Sequence, residues 1–204
     1  MSLTAGVCDA GYNFDGRFYA VSARIVGMTP SNYRADGVNK ELLFAIGECS
    51  LGVILVAMSG RGVCAISFGD DPVALARDLQ NGFPYAGLVD GAGDFEQFVA
   101  KVVGFVEAPA LGLDLTLDVR GTLFQQRVWQ LLREIPVGDK VSYTDIANQI
   151  GSPKSVRAVA GACAANTLAI AIPCHRVVRI DGNLSGRRWG IERKAELLRR
   201  ESKA

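Results

Sequence analysis

Between residues 40 and 69 the chain carries three apolar, β-branched runs, ELLFAIGEC, GVILVAM and VCAISFG, separated only by Ser50-Leu51-Gly52 and Ser59-Gly60-Arg61-Gly62. A parallel pairing needs a crossover of a dozen residues or more, whereas connections this short, made of turn-forming residues, join antiparallel neighbours. An antiparallel meander is therefore predicted. Asp71-Pro72 then reads as an N-cap followed by a proline in the first turn, and Val73, Ala76 and Leu79 share one helical face up to Gly82. Phe95, Phe98, Val99, Val102 and Val106 mark a second helix ending before Pro109. In LDLTLDVR, Leu113, Leu115, Leu117 and Val119 alternate with Asp114, Thr116, Asp118 and Arg120, the period of a half-buried strand. Together these predict a small α/β domain.

From Thr122 onward the pattern becomes helical. TLFQ is a capping-box sequence in which Gln125 reaches back to Thr122, and Phe124, Val128, Leu131, Leu132 and Ile135 form the stripe of an amphipathic helix stopped by Pro136 and Gly138. SYTDIANQIG predicts a short helix closed by Gly151, and SPKSVRAVAGACAAN a second one, with Ser152 as cap and Pro153 in its first turn. Two short helices joined by a tight Gly-Ser turn fit a helix-turn-helix, and an ordinary helical hairpin fits equally. In the second helix Ala158, Ala160, Gly161, Ala162, Ala164 and Ala165 are small, leaving Arg157 as its long basic side chain besides Lys154. Such a surface suits close packing on another helix or on the floor of a nucleic-acid groove.

The net charge of +1 conceals an imbalance: eight basic against fourteen acidic residues up to Arg120, then fourteen against seven from Gly121. A basic second half suits a polyanion, although an ordinary solvated face would have the same composition. No apolar run reaches membrane-spanning length and nothing at the start reads as a signal peptide, so a soluble cytoplasmic protein is expected. Cysteines at 8, 49, 64, 163 and 174 make an odd count without metal-ligand spacing, so neither a disulfide framework nor a metal site is expected.

IPCHRVV sets Cys174 beside His175, the chain's only histidine, immediately after Pro173. The thiolate is the reactive form of cysteine and a neutral imidazole is a natural acceptor for its proton. In an extended segment neighbouring side chains point to opposite faces, so His175 would act through an intervening water. A buried structural Cys-His pair is the alternative reading of the same stretch.

VWQLLREIPVGDKVSYTDIANQIGSPKSVRAVAGACAAN, IPCHRVVR, and GNLSG followed by RWGIERKAELLRRE together resemble the O6-alkylguanine-DNA alkyltransferase family, over residues 113–201, with a looser likeness back to residue 40. Within residues 10–34, AGYNFDGRFY and GMTPSNYR resemble the tail of an AraC-type DNA-binding domain, which precedes the alkyltransferase part in longer members of that family. The four-cysteine zinc domain of those members has no counterpart in the sequence, so methyl-phosphotriester chemistry is not expected of it. The fold implied is α/β plus all-α: residues 1–37 a partial AraC-type helix-turn-helix remnant and linker, 38–120 a ribonuclease-H-like α/β domain, and 121–204 a winged helix-turn-helix domain carrying the thiol.

The activity implied is direct, stoichiometric and irreversible transfer of the methyl group from O6-methylguanine in duplex DNA, with O4-methylthymine as a second lesion, by a bacterial-type monomer needing no cofactor or metal. Under the resemblance Cys174 is the alkyl acceptor, His175 deprotonates it through a water, Glu201 orients that histidine, and Asn166 ties the helix-turn-helix to the active-site loop. Arg157 replaces the extruded nucleotide in the stack, Tyr143 crowds the target's phosphate, and the Val177 carbonyl receives the guanine amine. Ser152 and Gln125 fall on the DNA side, and Arg187 and Arg188 at the base pocket. The family usually has a tyrosine where this chain has Arg187, within Gly186-Arg187-Arg188-Trp189-Gly190, which leaves the tolerated alkyl size open. A cysteine hydrolase would instead turn over esters or amides. A non-reactive sensor of alkylated DNA, or a fragment of a transcriptional regulator, is the remaining rival, and sensor relatives lack the acceptor cysteine.

Overall fold

A computed structural model describes residues 40–91, 93–109, 112–185 and 188–203; Cys8, the AraC-like stretch at residues 10–34 and Arg187 lie outside them. Strands β1 (Lys40–Cys49), β2 (Gly52–Ser59) and β3 (Gly62–Gly69) form the antiparallel meander that their short connections require. Helix α1 (Pro72–Gly82) follows, its first turn capped by the Asp71 carboxylate, which accepts a 2.9 Å bond from the Val73 amide. The chain then returns as β4 (Ala86–Asp90), which pairs in parallel with β1 and completes a sheet of order β3-β2-β1-β4.

Strand β2 is buried on both faces. Val53, Leu55 and Ala57 join Leu42, Phe44 and Ile46 of β1 against Leu75, Ala76 and Leu79 of α1. Ile54 and Val56 belong to the opposite face, which α2 (Asp94–Glu107) covers with Phe95, Val99, Val102 and Val106. Period-2 alternation explains this division until the register shift opposite Ala57 and Met58, where Cys64 and Ala65 fall on the same side.

The strand expected at LDLTLDVR does not form. The segment makes a single bridge, Leu117 to Val63, through bonds from the Val63 amide to the Thr116 carbonyl (2.9 Å) and from the Asp118 amide to the Val63 carbonyl (2.8 Å). The alternation survives in the half-buried Leu113, Leu115 and Leu117, but Asp118 breaks it. Its buried carboxylate pairs with Arg61 and Arg120 at 2.7 Å each and accepts from Ser59 Oγ at 2.8 Å, which turns the chain off the edge of β3. The crossing needs Gly62, at φ +135°, because a Cβ there would stand 2.4 Å from the Thr116 carbonyl oxygen. Further along the same edge, Ile66 bridges Leu168, so a loop from the second half of the chain also docks on β3.

That second half is helical: α3 (Leu123–Glu134), α4 (Tyr143–Gln149), α5 (Val156–Ala164) and α6 (Ile191–Glu201). Two-residue strands β5 (Val141–Ser142) and β6 (Val177–Val178) pair in parallel beside α4. Val128, Trp129 and Leu132 of α3, Ile146 of α4 and Val159 of α5 share one continuous core with the α2 face of the sheet. Among the described residues no helix is long and apolar enough to cross a membrane. The architecture is a mixed α/β N-terminal part followed by a helical C-terminal part.

Candidate active site

The capping box at the start of α3 forms as expected, with Gln125 Oε1 accepting from the Thr122 amide at 2.8 Å and Thr122 Oγ1 accepting from the Gln125 amide at 3.2 Å. The oxygen of the Gln125 amide is thereby committed to the helix end. The indole of Trp129 donates to the Ala162 carbonyl at 2.9 Å and fixes α3 against α5. Ser152 does not cap an α-helix: residues Pro153–Ser155 form a 3₁₀ turn and α5 begins only at Val156. The Ser152 side chain makes no cap bond, and its carbonyl instead accepts from Ser155 N (2.9 Å) and Oγ (2.6 Å), which closes the 3₁₀ turn. Arg157, Ala158, Gly161 and Ala164 share the exposed face of α5, while Val159, Ala162 and Cys163 point into the core. Small residues and one long cation thus line a solvent-facing ridge.

Cys174 lies in a pocket behind that ridge, walled by Ala160, Cys163 and Ala164 of α5, Tyr143 of α4, and Trp189, Lys194 and Leu197 at and within α6. The loop that presents it is constrained. Ile170 has φ +60°, the only non-glycine residue in the left-handed region among the described residues, and is 4 % exposed. A β-branched residue held there stores about 1–3 kcal/mol of strain. Bonds from Ala171 N to the Ala169 carbonyl (2.7 Å) and from Ile172 N to the Leu168 carbonyl (2.9 Å) hold the bend around it.

The fully buried Asn166 ties this loop to the end of α5. Its Oδ1 accepts from Leu168 N at 2.9 Å, and its Nδ2 donates to the Ile172 carbonyl at 2.8 Å and to Cys174 Sγ at 3.4 Å.

Instead of continuing as an extended segment, the chain folds at Cys174–Arg176 into a 3₁₀ turn, closed by Arg176 N on the Pro173 carbonyl at 3.0 Å. Successive side chains in a 3₁₀ turn stand about 120° apart, so Cys174 faces the pocket while His175 and Arg176 turn toward the end of α6. There His175 Nε2 lies 2.8 Å from Glu201 Oε1, and Arg176 donates Nε and Nη2 to the same carboxylate at 2.9 Å each. Arg176 Nη1 also donates to the Ile135 carbonyl.

These partners set the protonation states. Burial works against an ionised Glu201, but the bonds from His175 and Arg176 hold it down at about 2. An ionised carboxylate only accepts, which assigns the proton of His175 to Nε2 and leaves Nδ1 with its lone pair. Burial, with Arg176 and Lys194 nearby, outweighs Glu201 and lowers His175 below its ordinary value, so the ring is neutral and basic at Nδ1. Burial pushes the Cys174 thiol up, opposed by the Asn166 amide and the charges of Lys194 and Arg188. Cys163, in the same pocket, is pushed by burial to about 12, and the half-buried Cys49 and the buried Cys64 to about 11, in keeping with inert thiols.

Lys194 was not anticipated. It is 7 % exposed and donates to the Val177 carbonyl (2.5 Å) and the Ser185 carbonyl (2.7 Å), with Nζ 6.0 Å from the Tyr143 ring centre. Ser185 Oγ donates to the Tyr143 hydroxyl at 3.2 Å. Arg188 stacks on the Trp189 indole at 4.9 Å and donates to the Ala164 carbonyl at 3.0 Å, at the pocket's rim. Arg176 was unassigned as well. A sequence signal existed for Lys194: it falls with Leu197, Leu198 and Glu201 at the i, i+3, i+4, i+7 positions of α6, the face that carries both leucines of that helix. Among the described residues no group of three or more His, Cys, Asp or Glu side chains could hold a metal.

Residues 123–203 match the family model of the 6-O-methylguanine DNA methyltransferase DNA-binding domain. The chain is 50 % identical over 201 residues to the bifunctional transcriptional activator/DNA repair enzyme Ada of Escherichia coli, covering 98 % of this chain and 57 % of that protein. It thus spans little more than half the length of that relative. An inducible methylated-DNA–protein-cysteine methyltransferase of Bacillus subtilis is 35 % identical over 150 residues, covering 73 % of this chain and 84 % of the relative. The crystal structure of Mycobacterium tuberculosis OGT in complex with DNA superposes with a TM-score of 0.66 at 33 % identity, covering 80 % of this chain and 93 % of that one.

Proposed function

Because the chain belongs to the methylated-DNA–protein-cysteine methyltransferase family, we propose that it repairs O6-methylguanine in duplex DNA by moving the methyl group to Cys174, once per molecule. The observation that carries this reading is the joined arrangement of a thiol in a pocket, a neutral histidine next to it in sequence, and an ionised Glu201 that fixes the histidine's proton on the far nitrogen. Nδ1 of His175, through a water, takes the thiol proton. The sulfur attacks the methyl carbon, the S–C bond forms as the C–O bond breaks, and the electron pair passes to the guanine ring, which accepts a proton in turn. A thioether has no easy leaving path, so the protein is consumed. The chemistry asks for no cofactor or metal.

The base must leave the stack to reach the thiol, at a cost of a few kcal/mol. Arg157 on the small-residue face of α5 is placed to fill the gap it leaves, and Tyr143 to crowd the flipped nucleotide's phosphate. Ser152 and Gln125 are the expected phosphate-side contacts, with the basic second half adding affinity that weakens with salt. The Val177 carbonyl, already bonded to Lys194, keeps a second lone pair for the guanine amine, and Arg188 bounds the base, with Arg187 expected as a further contact from the family's pattern. The α4–α5 pair with the β5–β6 ribbon supports a winged helix-turn-helix over residues 121–204, and the mixed sheet with its two helices a ribonuclease-H-like domain over residues 38–120. O4-methylthymine is a second lesion of the same chemistry, and the protein acts as a cytoplasmic monomer.

The test is a duplex bearing one O6-methylguanine, mixed in equal amount with the protein and followed by peptide mass spectrometry. About 14 Da, one methyl group, is expected on Cys174. An unmodified Cys174, with the lesion intact after mixing with folded protein, would overturn the proposal. Arg157→Ala is expected to slow transfer from duplex far more than transfer from the free base, because only the duplex requires extrusion.

A further inference from the structure

Helix α6 carries its active-site groups in a repeating pattern. Arg193-Lys194 is followed seven residues later by Arg200-Glu201, and seven residues are close to two helical turns, so the two pairs lie one above the other. Lys194 and Glu201, 7 % and 3 % exposed, face the thiol and its histidine. The arginine before each of them points about 100° away around the helix and grips the α/β part of the protein.

Arg193 donates Nε to the Leu51 carbonyl at 2.7 Å and pairs with Asp70. Arg200 donates to the Val106 carbonyl (2.9 Å), to Glu107 (3.1 Å) and to Ser50 Oγ (2.6 Å). Ser50 in turn donates its amide (2.9 Å) and hydroxyl (2.7 Å) to Glu107. Both grips converge on the turn between β1 and β2. That turn admits the first of them only with glycine at 52, at φ +102°, where a Cβ would stand 2.9 Å from the Gly69 carbonyl and 3.0 Å from Arg193 Nη2.

The helix needs such a hold. It has eleven residues, and of the four it buries only Leu197 and Leu198 are apolar. An isolated helix of that length is marginal, and two leucines set its axial position loosely. A slip of one residue would move each group by about 1.5 Å along the axis. That is enough to break the bond between Glu201 and His175, since hydrogen bonds fade within a few tenths of an ångström beyond about 3.2 Å.

We infer that Arg193 and Arg200 are positioning residues of the transfer reaction, which lock α6 onto the β1–β2 turn and the end of α2 so that Lys194 and Glu201 meet the thiol and its histidine in register. The α/β part thereby sets the geometry of a site to which it contributes little directly. The inference rests on the proposed transfer to Cys174.

The experiment compares Arg200→Ala, Arg200→Lys, Glu107→Gln and Ser50→Ala in the full chain. Three quantities are read: the single-turnover rate at saturating O6-methylguanine duplex, the affinity for that duplex, and the pH dependence of Cys174 labelling by iodoacetamide, located by peptide mass. Arg200→Ala is expected to slow transfer by about tenfold, the loss that follows when charged hydrogen bonds are removed, with affinity unchanged within about twofold. Its labelling profile moves to higher pH as His175 loses its partner, and Arg200→Lys recovers part of both. Glu107→Gln and Ser50→Ala show smaller shifts in the same direction, and they carry the test if Arg200→Ala does not fold. A rate and labelling profile superimposable on those of the unmodified protein in the folded variants would overturn the inference, as would a loss confined to affinity. Failure of the unmodified protein to transfer strikes the proposed function instead, and iodoacetamide labelling still reads the effect of the arginine grips.

Discussion

Glu201→Gln replaces a carboxylate by an amide of nearly the same size and removes one negative charge. In the folded protein that carboxylate accepts from His175 Nε2 at 2.8 Å and from Arg176 Nε and Nη2 at 2.9 Å each. Arg176 is 5 % exposed, and in the variant its guanidinium keeps the Ile135 carbonyl and at most the one amide oxygen that remains, with no anionic partner there. Breaking a buried pair by removing one partner costs about 3–5 kcal/mol. The fall of Glu201 from 4.5 to about 2, caused by the same two partners, corresponds to about 3 kcal/mol.

The sign follows from the depressed value. Stabilisation by Glu201 is fully present above the unfolded value of 4.5 and is lost as the pH falls toward 2. Urea unfolding of both proteins, followed by circular dichroism at several pH values, should therefore show a gap of about 3–5 kcal/mol at neutral pH. The gap should close by about 3 kcal/mol between about pH 5 and pH 2. A gap under about 1 kcal/mol at neutral pH, or one constant across the acid range, would refute the reasoning, because it would mean that the buried cation finds compensation elsewhere.

Lys194→Met keeps the length of the side chain and removes its ammonium, leaving the Val177 and Ser185 carbonyls without that donor and Cys174 with Arg188 alone of its two nearby cations. Transfer should slow by about tenfold and the pH profile of Cys174 alkylation should move upward; an unchanged profile would show that the charge does not support the thiolate. Asn166→Ala strips bonds from Leu168 N and the Ile172 carbonyl at a fully buried position, and should lower stability by about 2–4 kcal/mol in denaturant titrations. A loss below about 0.5 kcal/mol would show that the loop holds its shape without this tether.

The meander was legible because alternation and turn chemistry are local properties, and β1, β2 and β3 take the pairing that their connections allow. The cap of α1 and the capping box of α3 were legible for the same reason. Strand β4 was not. AGLVD is short and mildly apolar, and it becomes a strand because β1 offers it a free edge. LDLTLDVR had the period of a strand, yet a buried Asp118 with two arginine partners draws it away after one bridge. At the site, the adjacency of Cys174 and His175 was plain, whereas Glu201 was reached only through resemblance, and Arg176 and Lys194 were passed over. Their roles depend on burial, which for Lys194 was signalled only by its sharing a helix face with Leu197 and Leu198 and for Arg176, in a short turn, by nothing local.

What the order of residues determined alone was therefore the set of local choices: where the chain turns, which helices are capped, and that a thiol and an imidazole are neighbours after a proline. The fold decided what that thiol is. It brought Glu201 to His175 across 26 residues, curled the PCHR stretch into a 3₁₀ turn, and enclosed Lys194 beside the sulfur. Protonation states follow from desolvation and from partners remote in sequence, and these exist only once the α/β sheet, α5 and α6 have packed together.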